Sequence, residues 1–167
     1  MGRDTQLHII LGPVLVMAFG QLSGGLSWLT ISGEDAPDLV ATAPASRGTI
    51  IRAKIEAVLT VIACVAVPFV LGIAFISKTG AVVTLFGIVA ASVSAITIQL
   101  WFKSTAKRSQ FRRRQTATKV ATFSEAFCSV FWAGATGLAA ASSWFALAFV
   151  ALALLTLWLT SRIKPEN

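Results

Sequence analysis

Long uninterrupted apolar stretches separated by short charged segments set the pattern of this chain. Between Asp4 and Glu34 the only titratable side chain is His8, and residues 7–31 form a 25-residue run. That run is long enough to cross a hydrocarbon core of ~30 Å at about 1.5 Å per residue. Residues 57–77 carry no charge, and after Lys78 and Gly80 residues 81–102 form another such stretch. These read as two spans joined by a tight turn. Residues 126–161 are 36 uncharged positions in a row, which as one helix would measure about 54 Å and overshoot a bilayer. The chain is therefore expected to reverse near Ala141, Ser142 and Ser143, with a fourth span over about residues 120–140 and a fifth over about 144–161. The ten-residue alternation of a membrane β-barrel strand does not occur in these runs. The expected fold is a single-domain, all-α integral membrane bundle of about five transmembrane helices.

The placement of charge supports that count. With five spans, Arg3 and Lys78 fall on one side. The other side collects Arg47, Arg52 and Lys54 in the first connection, Lys103, Lys107, Arg108, Arg112, Arg113, Arg114 and Lys119 in the third, and Arg162 and Lys164 at the C-terminus. A split of 12 against 2 is a strong positive-inside bias, which puts the N-terminus outside and the C-terminus in the cytoplasm. Fusing the last two spans would weaken the split.

Composition agrees with the pattern. Hydrophobic residues make up 56% of the chain and charged ones 13%, whereas about 25% charged is usual for a soluble domain. A soluble fold of this size would leave much of that apolar surface in water. The expected location is the plasma membrane, of the bacterial inner-membrane type. A secretory signal at the N-terminus is disfavoured because Asp4 offsets Arg3 and the apolar run exceeds a signal core. Small residues four apart, Gly20 and Gly24 in the first span and Ala133, Gly137 and Ala141 in the fourth, offer faces for close helix packing. Pro13 and Pro68 lie inside spans, where kinks are expected.

Few residues are suited to catalysis. His8 is the only histidine and stands about 22 Å along the first helix from Ser23, so the two cannot form a nucleophile–base pair. No H-E-x-x-H and no phosphate-binding P-loop sequence occurs. Cys64 and Cys128 have no ligand-spaced companions and read as small buried apolar side chains. The chain is expected to be no enzyme by itself, with no cofactor and no metal. Three polar residues mark a candidate site within the membrane, Glu125, Gln21 and Gln99, since a carboxylate at membrane depth by default indicates function. Weighed against that is an interfacial reading, in which Glu56 and Glu125 reach water at the cytoplasmic boundary and pair with Arg52 or Lys119. The position of both near span ends favours the interfacial reading. The basic loop, residues 103–119 with Arg112, Arg113 and Arg114 at its centre, lies beside two membrane entries. Anionic lipid head groups, worth about 1 kcal/mol per basic residue there, account for it without nucleic acid.

The first connection, residues 32–56, carries helix signals. Ser32 or Asp35 can cap a short helix with Pro37 in its first turn and Asp38 near its positive end; Pro44 stops it, and Ser46 can cap the next helix. This acidic cluster, then Leu, then Pro-x-Ser and a Lys heading the next span (Glu34, Asp35, Asp38, Leu39, Pro44, Ser46, Lys54) resembles the cytoplasmic connection between the second and third spans of type-2 ATP-binding-cassette exporter permeases. The resemblance implies that the short helix contacts a separate nucleotide-binding ATPase subunit and couples its closure to the membrane helices. Aligned on this motif, the five spans correspond to the second through sixth of the family's six, with the same orientation. The first span has no counterpart, as would hold for the C-terminal portion of a longer permease. The implied function is the membrane-spanning permease component of an ATP-driven exporter, assembled with a second permease copy or other permease part. The alternative is a small non-transporting membrane scaffold or regulatory subunit.

The orientation is directly testable. In a background lacking Cys64 and Cys128, cysteines introduced at Lys78 and Ser142 should react with a membrane-impermeant thiol reagent added to intact cells, and one at Arg113 should stay unlabelled. Labelling at position 113 from outside would reverse the topology.

Overall fold

The computed structural model describes residues 2–32, 46–102 and 111–163. These form five α-helices: α1 (Gly2–Ser32), α2 (Arg47–Ile76), α3 (Lys78–Trp101), α4 (Phe111–Ala140) and α5 (Phe145–Ile163). Four of them, α1, α2, α3 and α5, contain stretches long and apolar enough to cross a membrane. At 30 residues α4 is equally long, but Ser124, Glu125, Ser129 and Thr136 dilute its apolar character, and it is not among the four. The helices extend past the expected spans at several ends because the helical signal continues into the charged flanks.

Burial differs from that of a water-soluble bundle in how many large apolar side chains lie on the outside. On α3 the buried positions include Gly80, Ala81, Thr84, Gly87, Ala91, Ser92, Ser94 and Ala95, while Val82, Leu85, Phe86, Val89 and Val93 are exposed. Small and weakly polar residues make up most of the face turned to the neighbouring helices, with Ile88, Ile96 and Ile98 among them, while many large apolar residues face outward. That is how helices pack in lipid, where close approach rather than hydrophobic sequestration holds them together. An exposed apolar surface of this extent marks a membrane protein.

Helix α1 is the hub, packing against α2, α3 and α4. Its glycines set the spacing. A Cβ at Gly12 would lie 2.7 Å from Thr84 Oγ1 of α3, and one at Gly20 would lie 2.6 Å from Ser129 Oγ of α4 and 3.2 Å from Ala91 Cβ of α3. A Cβ at Gly24 would lie 2.5 Å from Glu125 Oε2. These pairings run upward together on α1 and α3 and oppositely on α4, so α1 is parallel to α3 and antiparallel to α4. Of the small residues in α4, Gly137 packs on Pro13 of α1 and Ala133 is buried, while Ala141 is exposed in the following turn.

The connections are short where apolar runs had to fold back. Ser77 alone joins α2 to α3: its N–H closes α2 on Ile73 O at 2.8 Å, and its hydroxyl caps α3 by accepting from Gly80 N at 3.1 Å. The turn is thus tighter than a Lys78–Gly80 reversal, and Lys78 already belongs to α3. The α4–α5 reversal does fall at residues 141–143. Ser142 adopts a left-handed φ of 55°, and Ser142 N and Ser143 N bond back to Ala139 O and Leu138 O, each at 2.9 Å, closing the helix in a Schellman arrangement normally made by glycine. Ser46 caps α2 by accepting from Thr49 N at 3.2 Å, as the sequence predicts. Pro13 and Pro68 lie within α1 and α2.

Antiparallel neighbours bring one set of ends together: the C-termini of α1, α3 and α5 and the N-termini of α2 and α4. Among the described residues, Arg52, Lys54, Lys119 and Arg162 belong to this end and Lys78 to the other. Arg162 rests over the Trp158 ring, 5.1 Å from its centroid, a cation–π contact suited to a membrane boundary. Trp144, 86% exposed, marks the opposite end.

Widening the α1 hub should be costly. Gly20→Val places methyl groups where Ser129 and Ala91 already stand and should lose about 1–3 kcal/mol by overpacking. Gly72→Val, with no atom within 4 Å of its Cβ position, should be near neutral. Thermal unfolding of both variants in detergent checks the contrast; equal effects would show that Gly20 does not set the helix spacing.

Candidate functional site: a buried glutamate between three helices

Glu125 is 6% exposed and Gln99 7%. They meet across the α3–α4 interface, Gln99 Nε2 donating to Glu125 Oε1 at 2.5 Å. Helix α1 closes the third side with Gly24, whose missing side chain leaves room for Oε2. The interfacial expectation for Glu125 is therefore corrected. The carboxylate points between helices rather than out to water, and its hydrogen bond goes to Gln99, not to Lys119, which is exposed. The expected depth near the basic end does hold, because Gln99 stands two residues before the end of α3.

Glu56 behaves as the interfacial reading has it. Arg52 Nε lies 2.7 Å from Glu56 Oε1, one helical turn away, with both side chains largely exposed; such a pair contributes little to stability. Gln21 does not join the site. It is exposed on α1, about 100° around the helix from Gly20. Of the cysteines, Cys128 is buried as expected, but Cys64 is exposed on the outer face.

The polar interior continues along the bundle. The Ser23 and Ser92 hydroxyls, on α1 and α3, lie 2.8 Å apart. Trp132 Nε1 of α4 donates to Ser94 Oγ of α3 at 3.0 Å. The hydroxyls of Thr160 and Ser124 link α5 to α4 at 3.0 Å. Ser27 Oγ and Ser129 Oγ are buried with no hydrogen-bond partner. The sequence reading missed these residues. The signal was present: Ser23 and Ser27 share the α1 face that carries Gly20 and Gly24, and Ser129 follows Glu125 by one turn.

The residues carrying the exporter resemblance divide at the boundary of the described structure. Ser46 heads α2 and Lys54 lies in its second turn. Glu34, Asp35, Asp38, Leu39 and Pro44 lie outside the described residues, as does the basic segment 103–110; Arg112, Arg113 and Arg114 fall in the first turns of α4. No protein-family model, curated protein or solved structure matches the chain.

The Gln99–Glu125 contact can be measured as an energy. Gln99→Leu strands a buried carboxylate and should cost about 1–3 kcal/mol. Glu125→Leu strands the Gln99 amide, and the double Leu variant should lose less than the sum of the two. A double-mutant cycle on unfolding in detergent tests this; strict additivity would show that the two side chains do not interact.

Proposed function

We propose that the chain is the membrane-spanning permease component of an ATP-driven exporter, with its N-terminus outside, its C-terminus cytoplasmic and ATP hydrolysis supplied by a separate nucleotide-binding subunit. All five helices cross the bilayer in this reading. Helix α4 qualifies despite its polar residues because it runs antiparallel beside α1 and α3 along their length, and its polar groups turn inward. The observation that carries the proposal is the arrangement of the basic end. The C-terminus of α1 and the Ser46-capped start of α2 both sit at the end holding Arg52, Lys54, Lys119 and Arg162, so the connection bearing Asp35, Asp38 and Leu39 leaves from the side that the charge bias makes cytoplasmic. A soluble ATPase would dock there, and the basic turns around Arg112, Arg113 and Arg114 would hold that face against anionic lipid.

The second reading, a non-transporting scaffold or regulatory subunit, draws on the closure of interior polar groups on one another, as in Ser23–Ser92 and Trp132–Ser94. The buried Glu125 favours transport over scaffolding, because a carboxylate is a costly way to join helices when an apolar or amide pair would serve.

Reversing Asp35 and Asp38 to Lys and replacing Leu39 by Glu should leave membrane insertion unchanged, since none of the three lies in a span. Recovery of an associated ATPase should nevertheless fall, with loss of contacts worth on the order of 2 kcal/mol at a docking hot spot. The measurement is copurification from detergent at equal expression of wild-type and triple-variant protein. Equal recovery, or no ATPase with either, would move the scaffold reading to first place.

A further inference from the structure

The geometry points to Glu125 as a site that takes up one monovalent cation, a proton or a sodium ion, from water at the basic end of the bundle, with Gln99 positioning the carboxyl group. A bare carboxylate in such surroundings is strongly disfavoured unless a positive charge accompanies it. Among the described side chains no such charge faces it. Helix α3 faces the carboxyl with the neutral amide of Gln99, and α1 faces it with Gly24 and, one turn on, Ser27. On α4 itself the next groups are Cys128 and Ser129, and the nearby polar group on α5 is Thr160, engaged with Ser124. The Arg52–Glu56 ion pair is exposed on α2, and Lys119 stands about 9 Å along the helix axis with its side chain exposed. The compensating charge in this proposal comes from solution.

Two further observations fit an exchangeable site rather than a sealed helix joint. Ser27 Oγ and Ser129 Oγ are buried without hydrogen-bond partners, one helical turn from Gly24 and from Glu125 respectively, so unpartnered hydroxyls flank the level of the carboxyl group along the bundle. The pair also lies close to the charged end of the bundle, because Gln99 is two residues from the end of α3. The path to water from that side is short, while from the Trp144 end it is most of the bundle's length. Proton and sodium share the same requirement here, a buried anionic oxygen with neutral donors around it.

Charge uptake is a property of this chain alone, and only its use in transport rests on the permease reading. It can therefore fail while ATPase recovery succeeds, and the reverse. The test is infrared difference spectroscopy of the purified full chain in lipid nanodiscs under two perfusions: a pH change in choline chloride, and sodium chloride replacing choline chloride at fixed pH. Wild-type protein should show a Glu125 carboxyl signal that responds in one arm, as gain and loss of the protonated C=O stretch for a proton or as a shift of the carboxylate stretch for sodium. The signal should vanish in the isosteric Glu125→Gln, and in Gln99→Leu it should persist with a shifted midpoint. Glu56→Gln identifies the exposed carboxylate that serves as reference. Should Glu125→Gln fail to fold, the Gln99→Leu shift in an otherwise wild-type spectrum carries the assignment. No response in either arm, or a response with the midpoint of Glu56 that Gln99→Leu leaves in place, would overturn the proposal.

Discussion

Close approach of α1 to α3 and α4 is the condition on which the rest of the structure depends. In lipid the helices gain nothing from hiding apolar surface, so their association rests on packing contacts and on polar groups that find one another. Both require short distances. Gly12, Gly20 and Gly24 supply them by leaving nothing between the α1 backbone and Thr84, Ser129 and Glu125. A bulkier face on α1 would push α3 and α4 outward together, and the Ser23–Ser92 contact would open first, since its two short side chains have no reach to spare.

That condition explains how α4 can be the most polar helix of the bundle and still lie among apolar ones. Its inward positions carry Glu125, Ser129 and Thr136, whereas Phe123, Phe127 and Val130 are exposed. Enclosure by α1, α3 and α5 removes the polar side from lipid. Several hydroxyls that do not bond across helices bond within their own: Thr136 donates to Trp132 O at 2.9 Å, and Thr97 and Thr156 donate to the carbonyls four residues earlier at 2.7 and 2.8 Å. Such back-bonding satisfies a hydroxyl at membrane depth with no partner helix needed, which is why polar character alone does not mark a packed face.

The same distinction separates what was legible in the sequence from what was not. Run lengths disclosed the helices, the reversal at Ser142 and the Ser46 cap, because length and capping are local properties of the chain. Depth was legible too, since each residue adds a fixed rise and Glu125 does lie near the basic end. The direction a side chain takes around the helix was not. Gln21 and Gln99 are the same residue type within apolar runs, yet one faces outward and the other meets Glu125. The discriminating information sits on other helices, in the glycines and serines of α1, and becomes readable only when the faces are matched. Placing Glu125 at the interface followed from its depth alone and went wrong for that reason. Cys64, which no neighbouring helix covers, shows the same gap from the other side.

Two glutamate contacts at one end of the bundle show how environment, rather than residue type, assigns consequence. Glu56 and Arg52 form a full ion pair at 2.7 Å, but water and salt screen it, and either partner is well solvated without the other. Glu125 and Gln99 share a single hydrogen bond between a carboxyl group and a neutral amide, formally the weaker interaction. Out of water, however, neither group can fall back on bulk solvent, so a change in one is felt by the other and by the α1 face against which the carboxyl packs. Sensitivity to added charge is therefore concentrated where α1, α3 and α4 converge. A perturbation there has three helices through which to act, whereas one at Glu56 has only the first turns of α2.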